Sequence, residues 1–392
     1  MSLSVVYTRA AIGVKAPLIS VEVHLSNGLP GLTLVGLPET TVKEARDRVR
    51  SAIINSGYAF PAKKITINLA PADLPKEGGR YDLPIAIALL AASEQLNTSG
   101  LSSCEFVGEL ALTGALRGVP GAISGALEAI RAGRQIIVAN ENASEVSLIA
   151  EKGCLVAGHL QEVCAWLEGR HELAEPQENE EVVADSPDDL SDIMGQEQGK
   201  RALEITAAGG HNLLLIGPPG TGKTMLASRL SGLLPPLNNH EALESAAIFS
   251  LVSSISLHKQ WRRRPFRSPH HSASLTAMVG GGSIPGPGEI SLAHNGILFL
   301  DELPEFERRV LDALREPIES GEIHLSRTRA KISYPAQFQL VAAMNPSPTG
   351  HYQGNHNRCT PEQTLRYLSS CPAPSSTVLI YLSRSPCHRP VC

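Results

Sequence analysis

Apolar and polar residues alternate in several short stretches of the first 170 residues, and stretches with helical spacing lie between them. The strand-like stretches are 18–25, 64–71 and 134–140, of which the last is a short apolar run, and the helix-like stretches are 40–57, 82–93 and 122–133. Period-two strands interleaved with helices indicate an α/β or α+β domain. The pattern therefore predicts a first domain at residues 1–170.

The pattern changes twice after that domain. Residues 171–189, HELAEPQENEEVVADSPDD, are acidic, polar and contain proline, which is typical of a solvated linker. From residue 190 onward, continuous apolar runs at 212–216, 296–300 and 338–344 alternate with helical patterns. Apolar strands separated by helices favour a parallel sheet, so a second α/β domain is predicted at 190–368.

Residues 369–392 differ from everything before them. They are rich in Ser, Pro and Cys, and their one short apolar run, 378–382, shows no amphipathic period. Such a segment cannot offset the entropy that ordering costs, so it is predicted to be disordered.

Composition narrows the classes of function. The net charge of −5 gives no bulk attraction to nucleic acid, so any such contact has to be local. The 7 cysteines are irregularly spaced without a CxxC pair, and the N-terminus lacks the order of a signal peptide. Together with the lack of a membrane-length apolar run, these features predict a cytoplasmic protein with reduced thiols that does not enter a membrane.

The strongest motif is a glycine-rich turn between an apolar run and a helical pattern. It reads GPPGTGKT and fits G-x-x-x-x-G-K-[ST]. Backbone amides of such a turn bind phosphates, the lysine reaches the β- and γ-phosphates, and the threonine hydroxyl binds Mg²⁺. The sequence predicts an ATP and Mg²⁺ site at Gly217, Pro218, Pro219, Gly220, Thr221, Gly222, Lys223 and Thr224.

Two later apolar runs end in polar residues that complete this site. The run ILFL is followed by Asp301 and Glu302, and the run before Asn345 is also apolar. Ligands of open parallel sheets bind at the carboxyl edge of the strands. Asp301 is therefore predicted to support Mg²⁺, Glu302 to act as general base, and Asn345 to orient the attacking water.

These motifs resemble the AAA+ ring ATPases, and the stretches FRSPHHSAS, MVGGGSIPGPGEISLAHNGILFLDELPEF and LREPIESGEIHLSRTRAKISYPAQFQLVAAMNPSPTGHY resemble their magnesium-chelatase-related branch. The resemblance is greatest to ComM-type (YifB-type) competence proteins, over residues 1 to about 368. It implies an N-terminal domain with the Lon-protease (ribosomal S5 domain 2-like) fold and an AAA+ module. It also implies an adenine pocket at Ile193 and Gly195, a homo-hexamer, recombination partners, and ATP-driven DNA branch migration.

The Lon resemblance does not extend to peptidase chemistry. Gly79, Arg80, Tyr81 and Asp82 stand where the Lon segment carries its serine, and residues 124–126 stand where the lysine would fall. Without a nucleophile and its base, peptide cleavage is not expected. The first domain is interpreted as a scaffold or a DNA-handling element.

Two basic stretches are candidates for DNA contact. A predicted hairpin carries Arg327, Arg329 and Lys331 near its tip, and either phosphate contact or an ordinary solvated hairpin fits this pattern. The other stretch places four arginines beside aromatic residues, which suits DNA or a subunit interface; they are Arg262, Arg263, Arg264 and Arg267. The adjacent His270 and His271 favour a loop or interface role over metal binding.

The end of the chain departs from the family pattern, which continues after RYL with S-G-P-x-L-D-R-x-D and a helical lid. Permitted codons for residues 371–384, read in another frame, encode S-G-P-V-L-D-R-F-D-L-S-L. The hypothesis is that the tail is a frameshifted continuation. Each subunit would then lack the lid and the arginine that it delivers to its neighbour, which would impair hydrolysis and assembly. Sequencing the gene tests it. A protein-remodelling or chelatase-like ring, or a nucleotide-binding scaffold without motor action, remain alternative functions.

Overall fold

The computed structural model describes residues 2–36, 40–76, 78–149, 151–177, 189–252, 257–282, 286–326, 331–348, 360, 362–363, 367 and 377–381. The chain forms two compact units. The first comprises Met1–Val182, Ala246–Lys259 and Ser326–Ile332; the second comprises Val183–Ser245, Gln260–Leu325 and Ser333–Cys392. Among the described helices, none combines the length and apolar character needed to cross a bilayer.

The first unit is built on a seven-stranded mixed sheet of order β3-β4-β2-β1-β5-β8-β9. Strands β1 and β2 pair antiparallel, as do β2 and β4, whereas the remaining neighbours in the sheet are parallel. A separate small hairpin contains β6 and β7. The strands are β1 Ser2–Arg9, β2 Leu18–Ser26, β3 Gly31–Val35, β4 Lys64–Ala70, β5 Cys104–Phe106, β6 Glu109–Leu110, β7 Leu116–Arg117, β8 Gln135–Ala139 and β9 Cys154–Ala157.

The helices that cover this sheet are α1 Thr40–Asn55, α2 Asp82–Ala92, α3 Ala122–Arg131, α4 Ala143–Val146 and α5 Leu160–Leu167. Helix α2, DLPIAIALLAA, is buried along its whole length, which explains why its sequence has no polar face. Its Asp82 is the exception in composition, and Arg48 of α1 pairs with that carboxylate at 2.8 Å. A buried charge in an apolar helix needs such a partner.

A second buried ion pair ties β1 to β5. The Glu105 carboxylate is fully buried and accepts hydrogen bonds from Arg9 Nε at 2.6 Å and Arg9 Nη2 at 2.8 Å. Arg134 donates to the same carboxylate at 3.2 Å, and its guanidinium lies 4.5 Å from the centre of the Tyr7 ring. These charges are therefore paired within the sheet region.

The second unit contains a five-stranded parallel sheet of order β11-β14-β17-β10-β18. Three of the sequence-predicted strands are confirmed, two of them beginning one residue later than expected. The strands of this half of the chain are β10 Asn212–Ile216, β11 Phe266–Arg267, β12 Gly280–Gly281, β13 Gly286–Pro287, β14 Ile297–Leu300, β15 Glu322–Ser326, β16 Lys331–Pro335, β17 Gln339–Met344 and β18 Thr377–Tyr381. The mixed α/β fold class with a P-loop-type parallel sheet is thus confirmed.

The described helices of this half are α6 Glu197–Gly209, α7 Lys223–Leu233, α8 Asn239–Phe249, α9 Leu257–Gln260, α10 Leu275–Val279, α11 Glu289–Leu292, α12 Arg308–Ala313 and α13 Arg315–Ser320. One face of the parallel sheet packs against α6 and α7, where Leu203, Leu226 and Leu230 are fully buried with Phe299. The other side of the sheet contributes Leu298 and Leu300 to a second apolar cluster. Strands covered on both faces have to be apolar throughout, as β14 and β10 are.

Two expectations about the non-globular segments need correction. Within the predicted linker, Leu173 is buried and the Ala174 carbonyl accepts a hydrogen bond from Val156 N at 2.9 Å, so these residues extend the first unit along the edge strand β9. Within the predicted disordered tail, β18 pairs with β10 in parallel register, from Asn212↔Thr377 to Ile216↔Tyr381. The short apolar run finds backbone partners at the open edge of β10 that sequence reasoning did not consider. The other residues of the tail lie outside the described part of the chain.

Candidate nucleotide-binding site

Three neighbouring parallel strands end at the same edge of the second unit's sheet. Ile216 of β10 pairs with Met344 of β17, and Leu300 of β14 pairs with Ala342 two residues earlier. The residues that follow these strands therefore meet at one place. They are the start of the glycine-rich turn, the acidic pair and Asn345, as the sequence predicted.

The glycine-rich turn has the backbone that its sequence requires. Gly220 and Gly222 have φ values of 76° and 81°, in the left-handed region where a Cβ is disfavoured. The Thr221 hydroxyl donates to the Pro218 carbonyl at 2.9 Å, which closes the turn. Helix α7 begins directly afterwards at Lys223, so its first amides face this turn.

The Lys223 ammonium lies inside the turn. Its Nζ donates to the carbonyls of Gly217 at 2.8 Å and Pro218 at 3.1 Å, and to Asn345 Oδ1 at 3.2 Å. Burial lowers the pKa of Lys223, while the negative charges of Asp301 and Glu302 oppose that shift. Lys223 therefore joins the turn to the end of β17 through one cation.

The oxygen groups predicted to hold Mg²⁺ are adjacent. Thr224 Oγ1 donates to Asp301 Oδ2 at 2.7 Å. Hydroxyl and carboxylate oxygens are ligands that Mg²⁺ accepts, and few protein ligands suffice because it keeps water and binds substrate phosphates. The donor set beside a phosphate-binding turn therefore fits MgATP.

Glu302 has an unusual backbone for a residue with a side chain. Its φ of 54° and ψ of 47° are left-handed, and its N–H donates to Asp301 Oδ1 at 2.9 Å. Backbone strain of this kind is common at functional sites. The side chain is 53% exposed, and its Oε2 lies 3.1 Å from His271 Nδ1. Sequence reasoning did not connect these two residues.

The predicted adenine-pocket segment lies beside the turn. Ile193 is buried in the apolar cluster with Leu203 and Leu226, and Gly195 has a φ of 72°. The neighbouring Gln196 donates from Nε2 to the Thr221 carbonyl at 3.1 Å, which connects this segment to the phosphate-binding turn. The assignment of Ile193 and Gly195 to adenine stays a prediction.

The arginine-rich stretch is engaged within the second unit. Arg267 makes a two-pronged ion pair with Glu289, with both N···O distances at 2.7 Å. Arg264 donates to the carbonyls of Pro235 at 2.7 Å and Asn295 at 2.9 Å, and Arg262 donates to a backbone carbonyl at 3.2 Å. These contacts give Arg264 and Arg267 structural roles that compete with DNA contact. Arg262 and Arg263 have exposed side chains.

The predicted hairpin is present as β15 and β16, which pair as a two-stranded sheet. Its proposed DNA contacts at Arg327 and Arg329 lie outside the described residues, as does the side chain of Lys331. Across the described residues, no cluster of three His, Cys, Asp or Glu side chains could hold a metal ion. The loop or interface role expected for His270 and His271 stays a prediction.

In the first unit, Arg80 occupies the turn where a Lon-type serine would stand. Its side chain is 5% exposed, and it donates to the Arg9 carbonyl at 3.4 Å and to the carbonyl of Pro120, just before α3. Burial lowers the pKa of Arg80, against the effect of Glu145. The turn is thus occupied by a buried guanidinium that donates to two backbone carbonyls.

Comparison with known proteins agrees with this architecture. Family models described as "Subunit ChlI of Mg-chelatase" and "Magnesium chelatase, subunit ChlI" match residues 21–142 and 189–376. The YifB protein of Salmonella typhimurium is 79% identical over 374 residues, which cover 95% of this chain and 74% of the relative. Competence protein ComM of Haemophilus influenzae is 61% identical over 379 residues, which also cover 95% of this chain and 74% of the relative.

A more distant relative is the magnesium-chelatase 38 kDa subunit of Rhodobacter capsulatus, 30% identical over 179 residues that cover 40% of this chain and 50% of that protein. The similarity to ComM and YifB includes both units, and the two ChlI models match successive parts of the chain. The chain therefore belongs to the ComM/YifB-type family and carries the domains of magnesium-chelatase subunit ChlI.

Proposed function

We propose that this chain binds MgATP at the carboxyl edge of the five-stranded sheet and hydrolyses it. The backbone amides at the start of α7 and the Lys223 ammonium would bind the phosphates, and Thr224 and Asp301 would hold Mg²⁺. Bound Mg²⁺ would neutralise charge on the phosphate oxygens. The Glu302 carboxylate would accept the proton of the attacking water, and the Asn345 amide would orient that water.

The observation that carries this proposal is the convergence of four polar groups from three strands. Lys223 contacts Asn345 at 3.2 Å, and Thr224 contacts Asp301 at 2.7 Å. Asp301 and Asn345 are 77 and 122 residues away from the adjacent Lys223 and Thr224 that they contact, yet all four meet beside a turn with the backbone of a phosphate-binding loop. Membership of a family with ChlI domains adds the expectation of nucleotide and Mg²⁺ use.

A binding measurement tests the nucleotide half of the proposal. Titration with a fluorescent ATP analogue in Mg²⁺ should show saturable binding to the wild-type chain. Lys223→Ala should weaken binding at least tenfold, since the phosphates lose their cation. The exposed Lys259 provides a matched control, because Lys259→Ala removes the same charge outside the site. Equal binding by both variants would contradict the assignment.

We further propose that ATP hydrolysis drives DNA branch migration by a homo-hexamer of this chain. Support comes from the 61% identity to a protein named for competence and from the resemblance of the motifs to that family. DNA would be the partner, with contacts at Arg262 and Arg263 and at the hairpin arginines Arg327 and Arg329. Recombination proteins would be further partners.

Hydrolysis with and without single-stranded or four-way branched DNA tests this assignment. DNA should raise the turnover of the wild type and should not rescue Lys223→Ala. The double variant Arg327→Ala, Arg329→Ala should lose stimulation and reduce the salt dependence of DNA binding, whereas Arg131→Ala, at an exposed pair in the first unit, should change neither. DNA-independent turnover would remove the branch-migration proposal and leave the nucleotide site intact.

A chelatase-like or protein-remodelling ring is the second candidate. The specific support is the match of both units to ChlI models and the 30% identity to a magnesium-chelatase subunit. This function predicts stimulation of hydrolysis by a polypeptide partner instead of DNA. The two candidates share the same nucleotide site, so the choice of stimulant separates them.

A further inference from the structure

Strand β3 forms one edge of the seven-stranded sheet, and its outer side has no strand partner among the described residues. The opposite edge is different, because Val156 N of β9 donates to the Ala174 carbonyl at 2.9 Å. Proteins protect an open edge with charged residues, proline or a bulge. The sequence of β3, GLTLV, contains no charged residue and no proline, and its alternate residues are exposed. The edge is therefore a place where another strand can pair.

The pairing with β4 determines which backbone groups of β3 face outward. Gly31 N donates to the Lys63 carbonyl at 3.4 Å, so the Gly31 backbone is directed toward β4. Backbone N–H and C=O groups point to alternate sides along a strand, so those of Leu32 and Leu34 face the open edge. Two residues of each copy are thus free to form hydrogen bonds with an added strand.

One two-fold register between β3 and β3 of a second copy uses both of these residues. It is centred on Thr33, so that Leu32 of each copy exchanges hydrogen bonds with Leu34 of the other in an antiparallel pair. A register centred on Leu32 would place Leu34 opposite Pro30, which has no N–H. A register centred on Leu34 would place Leu32 opposite Gly36, which is buried.

The side chains also match in the register centred on Thr33. Leu32 and Leu34 line an apolar cleft of about 320 Å³ beside α1, and cross-strand leucine pairs would extend its apolar wall. On the other face, the exposed Thr33 would meet the partner's Thr33 in a non-hydrogen-bonded backbone pair, where side chains are closest and two hydroxyls can bond. The partner's Val35 lies opposite Gly31, which leaves room for it.

The charges near this edge are complementary. On the exposed face, Lys64 of β4 lies beside Gly31. Asn68 lies beside Val35, and its Nδ2 donates to Glu22 Oε2 at 3.0 Å. Because Gly31 of one copy is opposite the partner's Val35, the row that begins at Lys64 ends at the partner's Glu22, four strands or about 19 Å away between backbones. Each shared row therefore joins a cation to an anion, and the central row at Thr33 carries no charge.

We propose that β3 is a self-pairing edge through which two copies of this chain join their seven-stranded sheets about a two-fold axis. The contact is isologous, so it is distinct from the head-to-tail contacts that close a cyclic hexamer. It involves no residue of the nucleotide site and goes beyond the proposed function. Strands of 5 residues bury far less than the 1,200 Å² or so of a stable interface, so the dimer should be weak and depend on protein concentration.

Sedimentation of the full chain without nucleotide, from the low to the high micromolar range, tests this edge. Thr33→Lys should weaken dimerisation at least about tenfold, because two like charges would face each other at the axis, whereas Thr33→Val should keep it. Thr98→Lys, at an exposed threonine of the same unit, is the matched control and should dimerise like the wild type. A wild type that stays monomeric throughout, or equal dimerisation by Thr33→Lys and Thr98→Lys, would overturn the proposal.

Disulfide cross-linking tests the register itself. In Thr33→Cys, the two new thiols would stand on Cα atoms about 4.5 Å apart, within the span of a disulfide. Val35→Cys is the matched control on the same face, because its two copies would lie about 14 Å apart along the strands. Oxidation with diamide should cross-link Thr33→Cys at least about tenfold faster, and peptide mapping distinguishes this disulfide from those of the chain's own 7 cysteines. Equal cross-linking of the two variants would refute the pairing of β3 with itself.

Discussion

Replacement of Glu105 by glutamine measures how strongly the first unit depends on its buried ion pair. The Glu105 carboxylate has no solvent exposure, and the Arg9 side chain with which it pairs at 2.6 Å is 7% exposed. Arg134 shares the same carboxylate at 3.2 Å. Glu105→Gln keeps the size of the side chain and removes its charge, which leaves Arg9 buried beside a neutral group.

The expected magnitude follows from that burial. Breaking a buried pair by removing one partner costs about 3–5 kcal/mol, because an uncompensated charge remains inside. The glutamine oxygen can still accept one hydrogen bond from Arg9, so a loss of about 3 kcal/mol is expected. Glu128 provides the matched control, since it pairs with Arg131 at 2.7 Å while their side chains are 40% and 62% exposed. Glu128→Gln should cost about 0–1 kcal/mol.

Denaturant unfolding has to report on the first unit alone, because a chain of two units need not unfold in one step. The two tryptophans allow this: Trp166 belongs to α5 of the first unit and Trp261 to the second. In a Trp261→Phe background, Trp166 fluorescence follows the first unit. Equal midpoint shifts for Glu105→Gln and Glu128→Gln would show that burial does not set the strength of these pairs and would refute the reasoning.

Three further predictions concern the backbone, a buried carboxyl and the nucleotide. Gly222→Ala should weaken MgATP binding and cost about 1–2 kcal/mol of stability, because a side chain with a Cβ disfavours the φ of 81° at this position. Gly286→Ala is the control, since its surroundings are equally open and its φ is not in the left-handed region. Nucleotide titration and thermal melting should show that Gly286→Ala is tolerated. Burial raises the pKa of Glu145 from 4.5 to about 7, although a hydrogen bond from Asn142 opposes the shift. Between these pH values the folded state binds more protons than the unfolded state, so the stability of the first unit should fall as pH rises from about 4.5 to about 7. Glu145→Gln should flatten that slope in unfolding followed by Trp166 fluorescence. At one fixed MgATP concentration, the melting temperature of the wild type should rise more than that of Lys223→Ala in a thermal-shift assay, because the variant binds more weakly.

The sequence predicted those parts of the site that depend on local patterns. The glycine spacing gave the turn at Lys223, and the apolar runs before Asp301 and Asn345 gave two strand ends. Their meeting followed from the rule that parallel strands end at one edge of a sheet. The contact between Lys223 and Asn345 confirms that rule for this chain.

Other features depended on pairings that no local pattern encodes. The approach of His271 to Glu302 requires the register Arg267↔Leu298, and β11 is only 2 residues long. The ion pair that engages Arg267 with Glu289 is likewise set by tertiary structure, so a sequence reader sees only a basic cluster. The strand β18 escaped prediction because its stability comes from β10 and not from its own composition.

The position of β18 has a consequence for how the nucleotide loop responds to local opening. With β17 on one side and β18 on the other, β10 is an interior strand whose backbone is paired along both edges. Amide protons of Leu213–Ile216 should therefore exchange with deuterium only through large-scale opening of the sheet, while those of the adjoining turn exchange readily. The phosphate-binding turn would then be a fast-exchanging segment attached to one of the slowest-exchanging strands of its unit. Deletion of residues 377–381 should speed amide exchange in β10 more than in the turn.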